Sequence, residues 1–122
     1  MKSTSSEEYN TYHNHRADPY FTFVKNSKKT IEGRLKKDKY ALIAPGDHIV
    51  VHNQEETDSV EVVVKGVRSY ESFEELLKEE PLKKVLPDAN SVEHGVKIYR
   101  QFYSPEQERR HGVVAIEVAL IK

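Results

Sequence analysis

The 122 residues contain no cysteine or tryptophan and a single methionine. Without cysteine, disulfides and thiolate metal sites are excluded, and the expected setting is intracellular, cytoplasmic or nuclear. No apolar run reaches the ~18 residues needed to cross a bilayer, so no membrane partner is expected. The N-terminus lacks the hydrophobic centre of a signal peptide. No Gly-rich phosphate loop, nucleophile-elbow serine or zinc signature occurs, so no cofactor is implied. His13 and His15 could share one strand face, as could His48 and His52. Neither pair has a carboxylate at diagnostic spacing, and two imidazoles do not make a metal site.

The formal net charge of −1 says little, but its distribution is uneven. Between Lys25 and Lys39 lie seven basic residues, Lys25, Lys28, Lys29, Arg34, Lys36, Lys37 and Lys39, against Glu32 and Asp38. Between Glu71 and Glu80 five acids face one lysine. The first run reads as a candidate phosphate-facing patch and the second as a solvated helix surface. The length suits one domain, 11–122, preceded by a loosely ordered Ser/Thr/Glu-rich segment, 1–10.

Along the chain, the alternation in Tyr12-His13-Asn14-His15 predicts a first strand. Asp18-Pro19 predicts a helix start, with Asp as cap and Pro at the first helical position. Tyr20, Phe21, Phe23 and Val24 form its apolar face until Asn26-Ser27. A strand to Leu35 follows, then a turn at Lys36-Lys37-Asp38-Lys39 and a short strand or turn over Tyr40–Ile43. Pro45-Gly46-Asp47 is a tight turn that launches a strand from His48 to His52. Gln54–Asp58 is a hairpin loop. The β-branched run from Ser59 to Val67, extending towards Tyr70, predicts a central strand.

Ser72-Phe73-Glu74-Glu75 is a capping box opening a helix with Phe73, Leu76 and Leu77 inward. Pro81 interrupts it, and Leu82, Val85 and Leu86 pack a second short turn. Ser91 caps a helix whose Val92, Val96, Tyr99 and Tyr103 share one face. Gly95 weakens that helix by ~1 kcal/mol relative to alanine, so close packing or tolerance must explain it. Ser104-Pro105-Glu106-Gln107 combines a cap, an N1 proline and a capping-box glutamine. Val113–Leu120 is the final strand. Irregular strand spacing without βαβ alternation argues against a doubly wound sheet. An α+β fold, a small, mostly antiparallel barrel decorated by short helices, fits better.

The chemically densest stretch is Lys28-Lys29-Thr30-Ile31-Glu32-Gly33-Arg34-Leu35. Extended, it turns Thr30, Glu32 and Arg34 one way and Lys29, Ile31 and Leu35 mostly the other. Gly33 removes a side chain where a strand would kink or another group approach closely. A salt-bridged edge strand would account for these residues without any ligand.

The order Lys29-Thr30-Ile31-Glu32-Gly33-Arg34, Pro45-Gly46-Asp47, Tyr70-Glu71-Ser72-Phe73-Glu74-Glu75-Leu76 and His111-Gly112-Val113-Val114-Ala115-Ile116 resembles the ASCH family. These are activating-signal-cointegrator homology domains of the PUA-like superfamily, and the similarity spans about Tyr12 to Leu120. Of the family signature G-x-K-x-x-E-x-R, Lys29, Glu32 and Arg34 match, and Ser27 stands in the glycine's place. The resemblance implies a β-barrel with a cleft at the signature, and RNA binding as the expected role. It also implies a hydrolase alternative, because one branch resembles amidohydrolases acting on N4-acetylcytidine and another is ribonuclease-like. The amidohydrolase branch pairs its lysine with a threonine three residues on, where this chain has Glu32.

Arg34 is the best phosphate or carboxylate ligand because its planar fork bonds two oxygens at once, unless it only pairs with Glu32. Lys29 supplies a point charge or, if desolvated, a base of lowered pKa; the alternative is a solvated lysine. Glu32 could accept from an exocyclic amine, act as general base, or merely orient Arg34 and Lys29. If the protein is an enzyme, Lys29 and Glu32 are its catalytic candidates. The RNA-binding set is Lys29, Thr30, Glu32, Arg34, Lys28, Lys36 and Tyr70, with neighbouring lysines widening the electrostatic footprint. Tyr70, Tyr99, Phe102 and Tyr103 are candidate stacking rings for single-stranded or locally unpaired RNA. Tyr99 and Tyr103 suit core packing better, and Tyr70 suits a cleft. A protein partner on the acidic helix Glu71–Glu80 is the third reading.

Overall fold

The structure, a computed structural model, describes residues 8–121. The chain runs through β1 (Thr11–Arg16), α1 (Tyr20–Lys25), β2 (Ile31–Leu35), a 3-10 turn (Asp38–Ala41), β3 (His48–Asn53) and β4 (Ser59–Tyr70). It continues through α2 (Phe73–Glu79), α3 (Leu82–Val85), α4 (Val92–Arg100), α5 (Pro105–His111) and β5 (Val113–Leu120). The five strands form one mixed sheet in the order β1-β3-β4-β5-β2, curled into a half-barrel and accompanied by five short helices. Among the described residues no helix is long and apolar enough to cross a membrane.

The β-branched run becomes the central strand β4, which a bulge between Val64 and Gly66 bends along the curve of the sheet. The pairings β3–β4, β4–β5 and β2–β5 are antiparallel, whereas β1 lies parallel to β3. Alternation alone carries no direction. The segment between β1 and β3 holds α1, β2 and the 3-10 turn, enough chain to return to the same end of the sheet.

Strand β5 is buried on both faces. Val113 and Ala115 face a core built with Phe73, Leu76 and Leu77 of α2, Val85 of α3 and Tyr99 of α4. Val114, Ile116 and Val118 face the inside of the half-barrel with Phe21, Val24, Ile49, Val51, Val62 and Val64. Strand β2 is read off β5 by register: Gly33 lies opposite Ala115, while Glu32 and Arg34 lie opposite Ile116 and Val114. Two charged side chains therefore share the side of the sheet on which the apolar inner core lies.

Several local expectations change. Pro19 is the N-cap rather than the first helical residue, and Asp18 caps α1 by accepting from the Thr22 amide at 3.0 Å. Of the short strand or turn expected over Tyr40–Ile43, the turn forms: Tyr40 and Ala41 end the 3-10 turn, and no strand forms there before Pro45. The cap at Ser72 is one-sided, because Glu75 accepts from Glu71 N rather than from Ser72 N. At Ser104 both halves of the box form. Gly95 is explained by close packing, since a β-carbon there would lie 2.7 Å from Leu77 Cδ1. Residues 1–7 of the segment expected to be loosely ordered lie outside the described residues, but Tyr9 stacks on His48 and Asn10 bonds to Asp47 and His48.

Ser27 has φ of 65°, the left-handed region that glycine enters without a steric penalty. The missing signature glycine is thus a turn residue. Ser27→Gly is expected to stabilise the fold by about 0.5–1 kcal/mol, read as a raised denaturant midpoint with an unchanged slope.

Candidate nucleic-acid interface

Strand β1 and strand β2 are the two free edges of the sheet, and a side-chain latch joins them. Arg16, the last residue of β1, donates from both Nε and Nη2 to the two oxygens of Glu32, with Nε to Oε2 at 3.0 Å. Glu32 is 3% exposed and Lys29 is likewise 3% exposed, with Lys29 Nζ 4.0 Å from Glu32 Oε1. The Lys29 ammonium also donates to the carbonyl of Ile31 at 2.9 Å and to that of Val85. Lys29 is placed by the turn before β2, where its own amide bonds to Phe23 O and the Thr30 amide bonds to Lys84 O.

Electrostatics follow from this packing. Burial pulls the Lys29 ammonium down to about 8, and Glu32 offsets only part of that cost. Burial pushes the Glu32 carboxyl up, but Arg16 and Lys29 together outweigh it and hold it at about 2. Glu32 therefore stays ionised and neutralises the cations beside it. It pairs with Arg16, not with Arg34 as local spacing suggests, and this releases Arg34.

The Arg34 guanidinium lies 4.7 Å above the ring of Tyr40, a cation–π contact. Its Nε and Nη2, the side-on edge of the fork, are buried without a hydrogen-bond partner among the described residues. Leaving such donors unmet costs roughly 1–3 kcal/mol or more, so the fork favours a ligand offering two oxygens.

Arg16, Lys29 and Arg34 line a cavity of about 230 Å³ together with Tyr20, Gly33, Tyr99 and Phe102. This is smaller than the ~300 Å³ at which pockets for drug-sized ligands begin, and suits one base or one phosphate. Gly33 explains how the cavity is floored: a β-carbon there would collide with the Tyr99 hydroxyl and lie 3.0 Å from Tyr99 Cζ. Tyr99 is fixed by stacking on Phe73 at 4.1 Å between ring centroids. Tyr20 is held from the other side by donating to Asp88 at 3.1 Å.

The remaining expected site residues disperse. Thr30 does not line the cavity, and Lys28 is exposed on the turn leading to β2. Lys36 and Tyr70 border a separate hollow with Ser69, Arg109 and His111. Tyr70 is thus not part of the Arg34 cleft; its hydroxyl bonds to Glu80, which also accepts from Arg68 Nε at 2.6 Å. That pairing buries Glu80, so the acidic run is not wholly a solvated surface. Tyr99 and Tyr103 pack in the helical core and also line the cavity, so both readings hold for them. Arg16 and Tyr20 are the additions that the sequence did not single out. No local signal marks Arg16, because its partner lies across the open side of the barrel.

The histidines regroup as well. His13 Nδ1 approaches His52 Nε2 at 3.0 Å, and His15 pairs with Glu56. Among the described residues no group of three or more potential ligands could hold a metal ion.

Comparison with known proteins agrees with this architecture. The crystal structure of a protein designated PH0355 is similar, with 43% identity over 91% of this chain and 99% of that one, and a TM-score of 0.83. The solution structure of PF0455 from Pyrococcus furiosus has 38% identity over 92% of this chain and 98% of that one, with a TM-score of 0.73. An ASCH domain from Lactobacillus crispatus JV V101, at 17% identity over 98% of this chain and 86% of that one, shares the fold with a TM-score of 0.60. No curated protein matches the sequence. The family model for the ASCH domain matches residues 16–122, from the latch arginine of β1 through β5. With its half-barrel, its Lys29/Glu32/Arg34 cluster and that match, the chain belongs to the ASCH domain family, of PUA-like fold.

Proposed function

We propose that this domain is an RNA-binding module that holds one nucleotide, or its phosphate, in the cavity between β2 and α4. The observation that carries the reading is the unmet side-on edge of Arg34 beside the buried Lys29 ammonium. Arg34 takes two oxygens of the ligand, Lys29 adds a nearby positive charge, and Tyr20, Tyr99 and Phe102 surround a base or ribose. Glu32 has no contact role and serves to hold Arg16 and Lys29 in place.

The test is titration of a short labelled single-stranded RNA at two salt concentrations. Arg34→Ala should weaken binding by about 10- to 100-fold, the range for a charge-assisted bidentate contact. Affinity should fall with salt and also as pH rises through about 8, where Lys29 loses its proton and the cavity a positive charge. The RNA should be recovered intact. Salt-independent binding, or none at low salt, would sink the reading.

One observation favours a second reading, a hydrolase acting on N4-acetylcytidine or on the RNA backbone. A lysine brought to about 8 can serve as a base near neutral pH. Against it, the Lys29 nitrogen is tied to two carbonyls, and Thr30 is no part of the cavity. Turnover of N4-acetylcytidine or RNA cleavage, lost in Lys29→Ala protein that remains folded by circular dichroism, would put the hydrolase first.

A further inference from the structure

The cavity does not end at α4. Phe102 and Tyr103 also line a second, more open hollow with Leu35, Lys37, Asp38, Lys39, Tyr40 and Gln107. Two features sit on the divide. Phe102 is 62% exposed although its neighbour Tyr103 is packed against Phe73, and its backbone is anchored by the bond from Phe102 N to Tyr99 O at 3.0 Å. Arg34 faces the first cavity, yet the Tyr40 ring beneath it lines the second.

Building on the RNA-binding reading, we infer that the ligand is a run of at least two nucleotides of single-stranded RNA. One nucleotide occupies the Arg34 cavity, the next occupies the Tyr40 hollow, and the Phe102 ring stacks on a base at the step between them. The chemistry of the second hollow suits this occupant. Tyr40 presents an aromatic ring, and Lys37 has no ion pair among the described residues and can meet a phosphate. The Gln107 amide nitrogen can donate to a base edge, its oxygen being engaged by Ser104 N in the capping box. Asp38 is the one acid there, and Lys37 and Lys39 flank it in sequence. An exposed ring on an anchored turn can stack without first being ordered, which is what a sequence-tolerant platform for single strands requires.

The experiment compares uridine monophosphate, the dinucleotide pUpU and a uridine tetramer as competitors of a labelled RNA, against wild type, Arg34→Ala, Phe102→Ala and Phe102→Tyr proteins. The readout is the ratio of mononucleotide to dinucleotide dissociation constants. Base–aromatic stacking predicts a wild-type ratio of at least about 10, reduced several-fold in Phe102→Ala and retained in Phe102→Tyr. A ratio near one in the wild type, with mononucleotide binding still dependent on Arg34, would overturn the second subsite and leave the first reading standing. A large ratio that Phe102→Ala does not change would overturn the role of the ring. Failure of every competitor would overturn the RNA reading itself.

Discussion

Glu32→Gln is expected to lower the unfolding free energy by about 3–5 kcal/mol, the range for removing one partner of a buried ion pair. The glutamine fits the space but leaves Arg16, Lys29 and Arg34 as neighbouring positive charges, with only the weaker influence of Asp88 to offset Lys29. The effect should depend on pH in a set direction. Glu32 titrates at about 2 in the fold against 4.5 for an ordinary glutamate. Between these values the unfolded chain carries a proton that the folded one does not. The stabilisation is therefore complete above about 4.5 and lost as pH falls through 2, with a slope of up to ~1.4 kcal/mol per pH unit. Urea unfolding between pH 3 and 7 should show this slope in wild type and lose that part of it in Glu32→Gln. A second variant separates charge imbalance from loss of shape. Arg16→Met combined with Glu32→Leu should recover much of the loss, because an apolar pair can replace a buried ionic one. A Glu32→Gln protein as stable as wild type would show that the latch is not structural.

Gly33→Ala is the second change with a large expected effect. The added methyl meets the Tyr99 hydroxyl, and neither side can yield cheaply. Gly33 is paired in the sheet opposite Ala115, and Tyr99 is 6% exposed and stacked on Phe73. Overpacking of this kind costs about 1–3 kcal/mol. Tyr99→Phe removes the colliding oxygen, so the double variant should regain about half or more of the lost stability. Such coupling is the mark of direct contact. RNA affinity should drop in Gly33→Ala even where the protein remains folded, since the ring displaced is a wall of the cavity. Equal stability of Gly33→Ala and wild type would refute the close approach.

What could be read from the sequence was whatever depends on near neighbours. The valines of β4, the alternation of Val113–Leu120 and the Ser104/Gln107 box each have a local cause, whereas the glycine at position 33 signalled a close approach without naming Tyr99, its distant partner. The matches at Lys29, Glu32 and Arg34 located the cluster. What could not be read depends on the curl of the sheet. Spacing of two made Arg34 the natural partner of Glu32, whereas the true partner, Arg16, comes from the opposite edge. The separation of Tyr70 from the Arg34 cavity was hidden for the same reason. Tyr70 lies at the end of β4 that pairs with Val113, beside the C-terminal end of β2, while Lys29 precedes the N-terminal end of β2. The acidic run likewise concealed Glu80, whose partners Arg68 and Tyr70 lie on a strand that precedes the helix.

The pairing of β2 with β5 also sets a timetable. Lys29, Glu32 and Arg34 are made early, yet Ile31–Leu35 has no strand to lie against until Val113–Glu117 has been synthesised. Of the backbone bonds that seat the preceding turn, the one to Phe23 is local, but those to Lys84 and Val118 wait for later chain. A growing chain therefore carries its basic cluster for most of its synthesis without any shape to present it. Contacts between such distant segments form slowly. The proposed site is complete only once β5 docks, and a ribosome-stalled chain lacking β5 would display its charges without the strand that orders them.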